Sequence, residues 1–407
     1  MLQFFSASTS IVNSKRAITE CLENALEGQP DLDCDLIIIY SAMGHNFKDL
    51  LAEAHKLSPN ARIVGCTGGG IIGKDGPNES MKALAIMAIK GPRNEFAITF
   101  RGKNAEGDPY RACYEMALEL KRQNQNINMI QFHPSGGGDD FFPIEKALEG
   151  SKSVFGTGIP VFGGLSMSSL ANLTSENVAY SAQFFDEQVL ERGAVMIGYA
   201  DPTLNFISHA NHGFSVIEGM PFEVTKAESY TIYELNGKPA WKVITETLGV
   251  PETMSWLQVI PIAGFAKELP EQLREEYGNK YILFAVMGNN EDNSIAVPVN
   301  CRKGIKIWLT KRDEKQMFEG VDWMVKKITD ELQGRKPVAV FHADCVLRGR
   351  FSLDRILKDE IINHMLSPIS RGENIPWLGL YSAGEFVMLG GEAWFQQISS
   401  SLFLIYR

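Results

Sequence analysis

Short apolar runs of strand length alternate along the chain with stretches in which apolar residues recur at helical spacing. Residues 35–40 form a continuous apolar run, and Asn46 then begins a predicted helix whose apolar positions share one face. Residues 62–66 form the next apolar run. The first half of the chain therefore predicts an α/β fold.

The pattern continues with further strands and another helix. Residues 81–89 and 95–101 predict two strands, and Gly91 and Pro92 between them predict a turn that joins the strands as an antiparallel hairpin. Asp108 begins a predicted helix, since proline follows it directly and apolar residues then recur at helical spacing. The other predicted strands of this half are residues 128–133, 159–162, 179–186 and 189–199.

The pattern restarts after Pro221. A predicted strand at residues 229–235 leads into the turn Asn236–Gly237, and the helix that follows Pro239 ends at Gly249. The later predicted elements are a helix at 318–332, a strand at 338–343 and a helix at 353–365 that ends before Pro368.

Strands in both halves are joined by hairpins as well as by helices, which predicts mixed β-sheets and not a purely parallel sheet. A chain of 407 residues is long enough for two or three domains of roughly 150 residues each. We therefore expect an α/β fold of two lobes, residues 1–222 and 223–407, with mixed β-sheets covered by helices.

The charge balance excludes some classes of partner. With 39 Lys and Arg against 49 Asp and Glu, the formal net charge is −10, and no basic stripe of the kind that binds nucleic acid or anionic membranes is present. The six cysteines lie far apart without a C-x-x-C pair, which favours reduced thiols. The start carries no positive segment and the longest apolar runs are too short to span a bilayer, so we expect a cytoplasmic location without membrane insertion.

Three of the predicted strands end in small residues whose backbone is nearly bare. The first end contains Cys66, Thr67, Gly68, Gly69 and Gly70, and the second contains Gly163 and Gly164. The third follows a predicted strand at 377–382, where Tyr381 and Ser382 lead into Ala383, Gly384 and Glu385. Glycine at such positions permits the close approach of another backbone or of a ligand. One interpretation is tight packing of a neighbouring element, and the other is a cradle of exposed N–H groups for a small polar ligand. A dinucleotide fingerprint is excluded, because the G-x-G-x-x-G order is missing.

The order of these segments resembles the FIST family, a sensory module with amino-terminal and carboxy-terminal domains. The resemblance rests on residues 35–41, 64–67 with the following glycines, 160–164, 234–240, 344–348 and 379–385. It implies sensing of a small ligand, with amino acids as proposed ligands, and a signal passed to kinases, cyclic-dinucleotide enzymes or chemotaxis proteins. One similar subgroup binds haem to sense nitric oxide. FIST modules also resemble the substrate-handling part of an F-box protein, which implies a protein-interaction scaffold as an alternative.

The segment from His342 to Arg348 gathers a base, an acid, a thiol and a cation. A nucleophilic Cys345 is one interpretation. In an extended strand, however, His342 and Asp344 share one face and Cys345 points to the other, which favours a buried structural thiol or the wall of a pocket. Arg348, just past the strand end, is better explained as an ion-pair partner or an anion clamp.

Haem needs one imidazole that faces an apolar slot. Of the seven histidines, His212 is the first candidate, because it lies beside Gly213 at the exit of the first domain, where a slot between the lobes is expected. His133 is the second candidate. The alternative for each is a hydrogen-bonded structural histidine. His209 and His212 point to opposite faces of an extended stretch, so they do not form a ready metal pair.

We therefore expect a ligand-binding sensor and not an enzyme, in which both lobes present their strand ends to a shared pocket. The expected ligand contacts are Cys66, Thr67, Gly68, Gly69, Gly163, Gly164, Cys345, Arg348, Tyr381, Ser382 and Glu385. The cofactor considered is haem b, with His212 or His133 as its axial ligand. We expect the signal to pass to a separate histidine kinase or cyclic-dinucleotide enzyme. An enzyme that uses Cys345 and a protein-interaction scaffold are the alternatives.

Overall fold

The computed structural model describes residues 1–103, 107–136, 143–168, 180–217, 219 and 221–407. Helices and mixed β-sheets form two domains, which confirms the predicted α/β fold. The strands of the first half are β1 (Gln3–Thr9), β2 (Leu36–Ser41), β3 (Arg62–Thr67), β4 (Ile71–Gly73), β5 (Gly76–Asn78), β6 (Leu84–Lys90), β7 (Phe96–Arg101), β8 (Met129–Pro134), β9 (Val161–Gly163), β10 (Ala182–Phe185), β11 (Gln188–Glu191), β12 (Ala194–Tyr199), β13 (Asn205–His212) and β14 (Phe214–Val216). The helices of this half are α1 (Ser14–Ala25), α2 (Phe47–Leu57), α3 (Pro109–Gln123) and α4 (Ile144–Phe155).

The second half repeats the mixture of strands and helices. Its strands are β15 (Phe222–Glu228), β16 (Thr231–Leu235), β17 (Lys238–Pro239), β18 (Ala263–Glu268), β19 (Tyr281–Phe284), β20 (Gly288–Asn289), β21 (Ile295–Ala296), β22 (Lys306–Arg312), β23 (Pro337–Cys345), β24 (Trp377–Ser382), β25 (Glu385–Leu389), β26 (Glu392–Gln396) and β27 (Ser399–Tyr406). Its helices are α5 (Ala240–Leu248), α6 (Trp256–Val259), α7 (Glu271–Tyr277), α8 (Glu314–Leu332) and α9 (Arg355–Ser370). Within the described residues, no helix is long and apolar enough to cross a membrane.

The strands pair into four main sheets and a hairpin of β25 and β26. The first sheet has the order β1-β6-β2-β3-β10-β11, and the second has the order β7-β12-β8-β9. The third sheet, β13-β27-β23-β24-β4-β5, takes strands from both halves of the chain, and the fourth runs β19-β18-β22-β15-β16-β21-β20. Parallel pairs occur at β2 and β3, β8 and β9, and β23 and β24, whereas the other pairs along these orders are antiparallel. The predicted mixed sheets are therefore confirmed.

Local signals set several element ends as the sequence predicts. The side chain of Asn46 accepts a hydrogen bond from a backbone N–H of α2, and Asp108 does the same for α3. Such caps satisfy amides that have no partner inside the helix. Asn236 and Gly237 have φ of 51° and 76°, the left-handed values of a tight hairpin turn, and Gly249 ends α5 at φ 68°.

Three sequence predictions about local structure are wrong. The strands β6 and β7 do not pair as a hairpin, because β6 joins β1 and β2 while β7 joins β12 in another sheet. The predicted strand at 189–199 is two strands, since Arg192 turns the chain at φ 52°. Helix α9 continues through Pro368 to Ser370, where the buried Ile369 anchors the last turn.

One hydrophobic core lies between three of the sheets, and helices cover the outer face of the first sheet. Side chains such as Ile38 of the first sheet, Ile197 of the second and Leu380 of the third pack together between the three sheets. Helices α1 and α2 cover the other face of the first sheet, with Ile18 and Leu50 buried against it. Burial of these apolar faces holds the two domains in contact along the third sheet.

Candidate functional site

The carboxyl ends of β3, β9 and β24 meet where the two domains touch. The amide of Gly69 donates to the carbonyl of Tyr381 over 2.8 Å, and the amide of Met167 donates to the carbonyl of Thr67 over 3.0 Å. Gly164 forms an antiparallel bridge with Glu385. The structure therefore brings together the three small-residue ends that the sequence singles out.

The backbone of these ends is paired and not open. Gly68 donates to Ser41 over 3.1 Å, and Leu165 donates to Gly384 over 2.9 Å. A Cβ on Gly69 would lie 2.7 Å from Val346 Cγ2, too close for a real contact. The amides of Gly69 and Leu165 thus pair across the contact between the domains and that of Gly68 pairs within its own domain, which favours the packing interpretation; ligand contact by these amides stays a prediction.

The other glycine-end residues take part in the same packing. Cys66 is fully buried in the core between the sheets, and Thr67 Oγ1 accepts from the amide of Ala182 at 3.0 Å. Gly163 has φ 115°, and a Cβ on Gly164 would lie 2.9 Å from Ser382 Cβ. These residues position the strand ends, and their role in ligand contact stays a prediction.

A buried polar centre lies beside this junction, at the ends of the parallel strands β23 and β24. Arg348 Nε donates to Asp344 Oδ1 over 2.9 Å, and both side chains are 1% exposed. Among the described residues, neither Nη1 nor Nη2 of Arg348 has a hydrogen-bond partner. The hydroxyl of the fully buried Tyr381 also has none within that part of the chain. Asp344 Oδ2 is a fourth buried atom without a hydrogen bond in the described ranges, although His342 Nε2 lies 3.4 Å from it. Buried polar groups in proteins are usually paired, so four such atoms on three residues need an explanation.

The electrostatics of Asp344 keep the ion pair charged. Burial by itself raises the pKa of Asp344, but the charge of Arg348 and the hydrogen bond and charge of His342 outweigh it, so the pKa lies below its ordinary value. Burial raises the pKa of Tyr381 and of Tyr277, and the positive charge of Arg348 offsets part of that rise. The guanidinium of Arg348 is thus a buried cation with two nitrogens that have no hydrogen-bond partner among the described residues.

Glu385 forms the second part of the polar centre. Its Oε1 accepts from Ser382 Oγ at 2.8 Å and its Oε2 from Ser399 Oγ at 2.6 Å. Burial raises its pKa well above the ordinary value despite these hydrogen bonds. Burial thus disfavours the charged form of this carboxyl group, against the two hydroxyl donors that favour it.

Tyr277 and Gln396 extend the polar centre from outside the motifs of the sequence. Tyr277 Oη donates to Gln396 Oε1 over 2.5 Å. Within the described ranges, Gln396 Nε2 has no partner although the residue is fully buried. Neither residue is flagged by the sequence, because each lies outside the small-residue strand ends and the segment 342–348. The available signal is weak: Gln396 is a polar residue that follows the apolar residues 393–395.

Cys345 does not have the surroundings of a nucleophile. His342 and Asp344 share a face of β23, as the strand geometry predicts, with Nε2 and Oδ2 3.4 Å apart. Cys345 is 2% exposed, and burial followed by the charge of Glu385 raises the pKa of its thiol well above the ordinary value. Reactive cysteines need a depressed pKa and access, so the geometry favours a structural thiol.

Both ring nitrogens of His133 are already used. Nδ1 lies 2.9 Å from the carbonyl oxygen of Gly164, so it carries the proton, and Nε2 lies 2.8 Å from Tyr40 Oη and accepts from it. Burial lowers the pKa of His133 to about 4. The imidazole is a neutral, hydrogen-bonded part of the core.

His212 is paired in the same way. Its Nε2 donates to the carbonyl of Tyr281 over 3.0 Å, and its Nδ1 accepts from the amide of Phe214 at 3.4 Å. Burial, with a smaller effect of Arg348, lowers its pKa to about 4. An axial haem ligand needs a free nitrogen, so neither His212 nor His133 fits haem in this arrangement. Among the residues described, no group of three or more His, Cys, Asp or Glu side chains is placed to hold a metal ion.

Solved structures resemble the chain only distantly. The cyanuric acid hydrolase from A. caulinodans is 8% identical with a TM-score of 0.35, and the match covers 100% of this chain and 99% of that one. PurL from T. maritima, complexed with AMPPCP, is 9% identical with a TM-score of 0.23, and the match covers 100% and 72% of the two chains. At these TM-scores the likeness supports no inference about this chain.

No curated protein matches the sequence. The comparison with protein families does identify the chain. The match to the first family domain ends at residue 238 and the match to the second begins at residue 243, and the boundary expected at 222 stays a prediction. The FIST N domain matches residues 35–238 and the FIST C domain matches residues 243–388, so the chain belongs to the FIST family.

Proposed function

We propose that this protein is a sensor that binds a small carboxylate at the polar centre of Asp344, Arg348 and Tyr381. Its family supports a sensing role, because FIST domains are sensory, ligand-binding domains of signalling proteins. The observation that carries the ligand assignment is the pair of Arg348 nitrogens that have no partner among the described residues.

The chemistry of the free groups selects the ligand class. A guanidinium presents its N–H groups in a planar fork that matches the two oxygens of a carboxylate. Leaving such donors buried and unpaired destabilises the protein, and a bound carboxylate removes that penalty. Within the described part of the chain, Tyr381 Oη and Gln396 Nε2 are further buried donors without a partner, so donors outnumber the unpaired acceptor Asp344 Oδ2. An acceptor-rich anion therefore suits the centre better than a cation or an apolar molecule.

The same residues connect the centre to the contact between the domains. Tyr381 provides a free hydroxyl to the centre, while its carbonyl accepts from Gly69 of the amino-terminal domain. A ligand changes the relation between the domains only through different affinities for two arrangements. We propose that occupancy biases this junction and that the change is relayed to a separate histidine kinase or cyclic-dinucleotide enzyme.

Two measurements on the purified protein test the ligand assignment. Native mass spectrometry of protein isolated without denaturation should show a bound small molecule. Thermal unfolding in acetate, succinate, benzoate and glutamate, against chloride at equal ionic strength, should show stabilisation by at least one of these carboxylates.

Matched variants locate the binding. Arg348→Lys keeps the charge but loses the fork, so we expect the affinity to fall at least about tenfold. Arg62→Lys is the control, because Arg62 Nη2 lies 2.9 Å from Asp186 Oδ2 in an ion pair that does not involve the polar centre. Undiminished binding in Arg348→Lys, or no bound mass and no stabilisation by any carboxylate, contradicts the proposal. A strong Soret band in the purified protein would favour the haem hypothesis instead.

A further inference from the structure

Residues 346–353, here called the covering segment, close the polar centre between β23 and α9. Val346, Leu347 and Arg348 are buried, whereas Phe351 is 39% exposed at the surface. Within the segment, the amide of Gly349 donates to the carbonyl of Val346 over 3.1 Å, so a short turn holds it in shape. Val346–Arg348 form a single 3₁₀ turn, so Arg348 is brought to the centre by a turn after β23 and not by the strand itself.

Glu79 of the amino-terminal domain holds this segment. Its two carboxylate oxygens accept from the amide of Arg350 at 3.0 and 2.8 Å. Its Oε2 also lies 3.0 Å from Lys358 Nζ, and the two side chains are only 8% and 6% exposed. Glu79 directly follows β5, whose hairpin with β4 forms the edge of the third sheet. One acid therefore joins the amino-terminal domain to the loop that carries Arg348.

Two glycines make room for Glu79. A Cβ on Gly70 would lie 2.6 Å from Glu79 Cγ, and a Cβ on Gly349 would lie 2.5 Å from Glu79 Oε1. Gly349 has φ −92°, which any residue adopts, so space and not backbone conformation calls for glycine there. Gly70 belongs to the glycine run whose neighbouring amides are already paired. The glycine run therefore also leaves the space that the side chain of Glu79 occupies.

We propose that the covering segment is a lid over the polar centre and that Glu79 is the latch that holds the lid closed. The proposal rests on the proposed function, because it takes the centre around Arg348 as the ligand site. Strands β23 and β24 lie inside a sheet, so opening there breaks paired strands. The covering segment pairs with no strand: its own turn bonds, Glu79 and the bond from Arg312 Nη1 to the carbonyl of Ser352 hold it, so it is the route that opens without breaking a sheet. Ligand entry is then coupled to the β4–β5 hairpin of the other domain.

Hydrogen exchange measured by mass spectrometry on the full chain tests the latch without knowledge of the ligand. Glu79→Gln keeps the shape of the side chain but removes the charge that binds Arg350 and Lys358. We expect the amides of residues 346–353 to exchange at least about tenfold faster in this variant, because charge-assisted hydrogen bonds are lost. Gly349→Ala is the second variant, since its new methyl group pushes Glu79 out and should give the same change.

Asp186→Asn is the matched control. Asp186 also pairs with an arginine and accepts from a backbone amide, that of Ile63 at 3.1 Å, but it lies away from the covering segment. Asparagine tolerates its φ of 51°. Exchange in residues 346–353 should be unchanged in this variant, and an equal acceleration in the control would overturn the latch.

The wild-type protein gives a test that needs no variant to fold. In a series of low urea concentrations, the amides of the covering segment must open before those of β23. Opening of both together overturns the lid, as does unchanged exchange in both Glu79→Gln and Gly349→Ala. Carboxylate binding is measured separately with Arg348→Lys. If residues 346–353 exchange faster in the latch variants but no carboxylate binds, the latch is supported and the proposed ligand class is rejected. If a carboxylate binds through Arg348 but exchange is unchanged in both latch variants, the ligand class is supported and the latch is rejected.

Discussion

Each domain contains a buried polar cluster, and the two clusters differ in whether their hydrogen bonds are complete. In the amino-terminal domain, Tyr199 donates to Gln131 over 2.7 Å, Gln131 donates to Tyr40 over 2.8 Å, and Tyr40 lies 2.8 Å from His133 Nε2. His133 then donates to the carbonyl of Gly164. Every polar side-chain atom of this four-residue network has a partner, as a buried network must to be stable.

In the carboxy-terminal domain, the cluster of Asp344, Arg348 and Tyr381 is equally buried but incomplete. Two nitrogens of Arg348 and the hydroxyl of Tyr381 lack partners among the described residues. Burial alone therefore does not separate a structural cluster from a binding site. The proposed function takes the unpaired atoms as the distinguishing feature, because a binding site must leave groups for its ligand.

Removal of His133 should give the largest effect on stability. His133→Ala leaves a cavity and strips partners from Tyr40, Gln131 and the carbonyl of Gly164, so we expect a loss of about 3–5 kcal/mol. Urea unfolding at pH 7 measures it. His364→Ala is the control, since that side chain is 40% exposed. A loss below about 1 kcal/mol would show that the paired cluster is not structural.

Acid should weaken the protein through the two buried histidines. Burial lowers the pKa of His133 and His212 to about 4, whereas the unfolded chain has about 6.5. Between these values the unfolded chain binds more protons, so the free energy of unfolding falls as the pH falls. We expect a loss of about 2 kcal/mol per histidine from pH 7 to pH 5. Urea unfolding at several pH values measures the slope, which should drop by about one proton in His212→Asn.

Two fully buried tyrosines provide a direct comparison of the clusters. Tyr40→Phe removes a hydroxyl that is paired with His133 and Gln131, so it should cost about 1–3 kcal/mol. Tyr381→Phe removes a hydroxyl without a partner, and its cost should stay within about 0.5 kcal/mol. Thermal unfolding in the absence of added carboxylate measures both. Equal costs would mean that the two clusters do not differ in the way proposed.

Local chemistry made part of the fold predictable from the sequence. Asn46 and Asp108 cap helices, and the Asn236–Gly237 turn has the expected left-handed values, because each signal acts within a few residues. The pairing of β6 and β7 was not predictable in this way. Strand β6 pairs with β1 and β2, and β7 pairs with β12, and all of these partners are distant in sequence. Burial in two separate sheets overrides the turn between β6 and β7.

The candidate site was predictable only where two strand ends share an edge. Arg348 follows β23 and Tyr381 ends β24, and these neighbours are parallel, so both residues reach the same end of the sheet. Glu79 was missed, because its partner Arg350 belongs to the other domain. The sequence also could not predict whether the amides of the glycine run are free or hydrogen-bonded, since this depends on how the backbones of the two domains pair.

The smallest expected effect concerns two thiols, one near each cluster. Cys66 and Cys345 are both buried, and burial raises the pKa of each thiol above its ordinary value. Iodoacetamide should therefore modify both slowly near neutral pH, at rates limited by opening of the fold, because the thiolate is the reactive form. Peptide mapping after timed alkylation measures the two rates. Fast and selective modification of Cys345 would revive the hypothesis of a cysteine-dependent enzyme, since it would require an accessible thiolate that the closed arrangement does not provide.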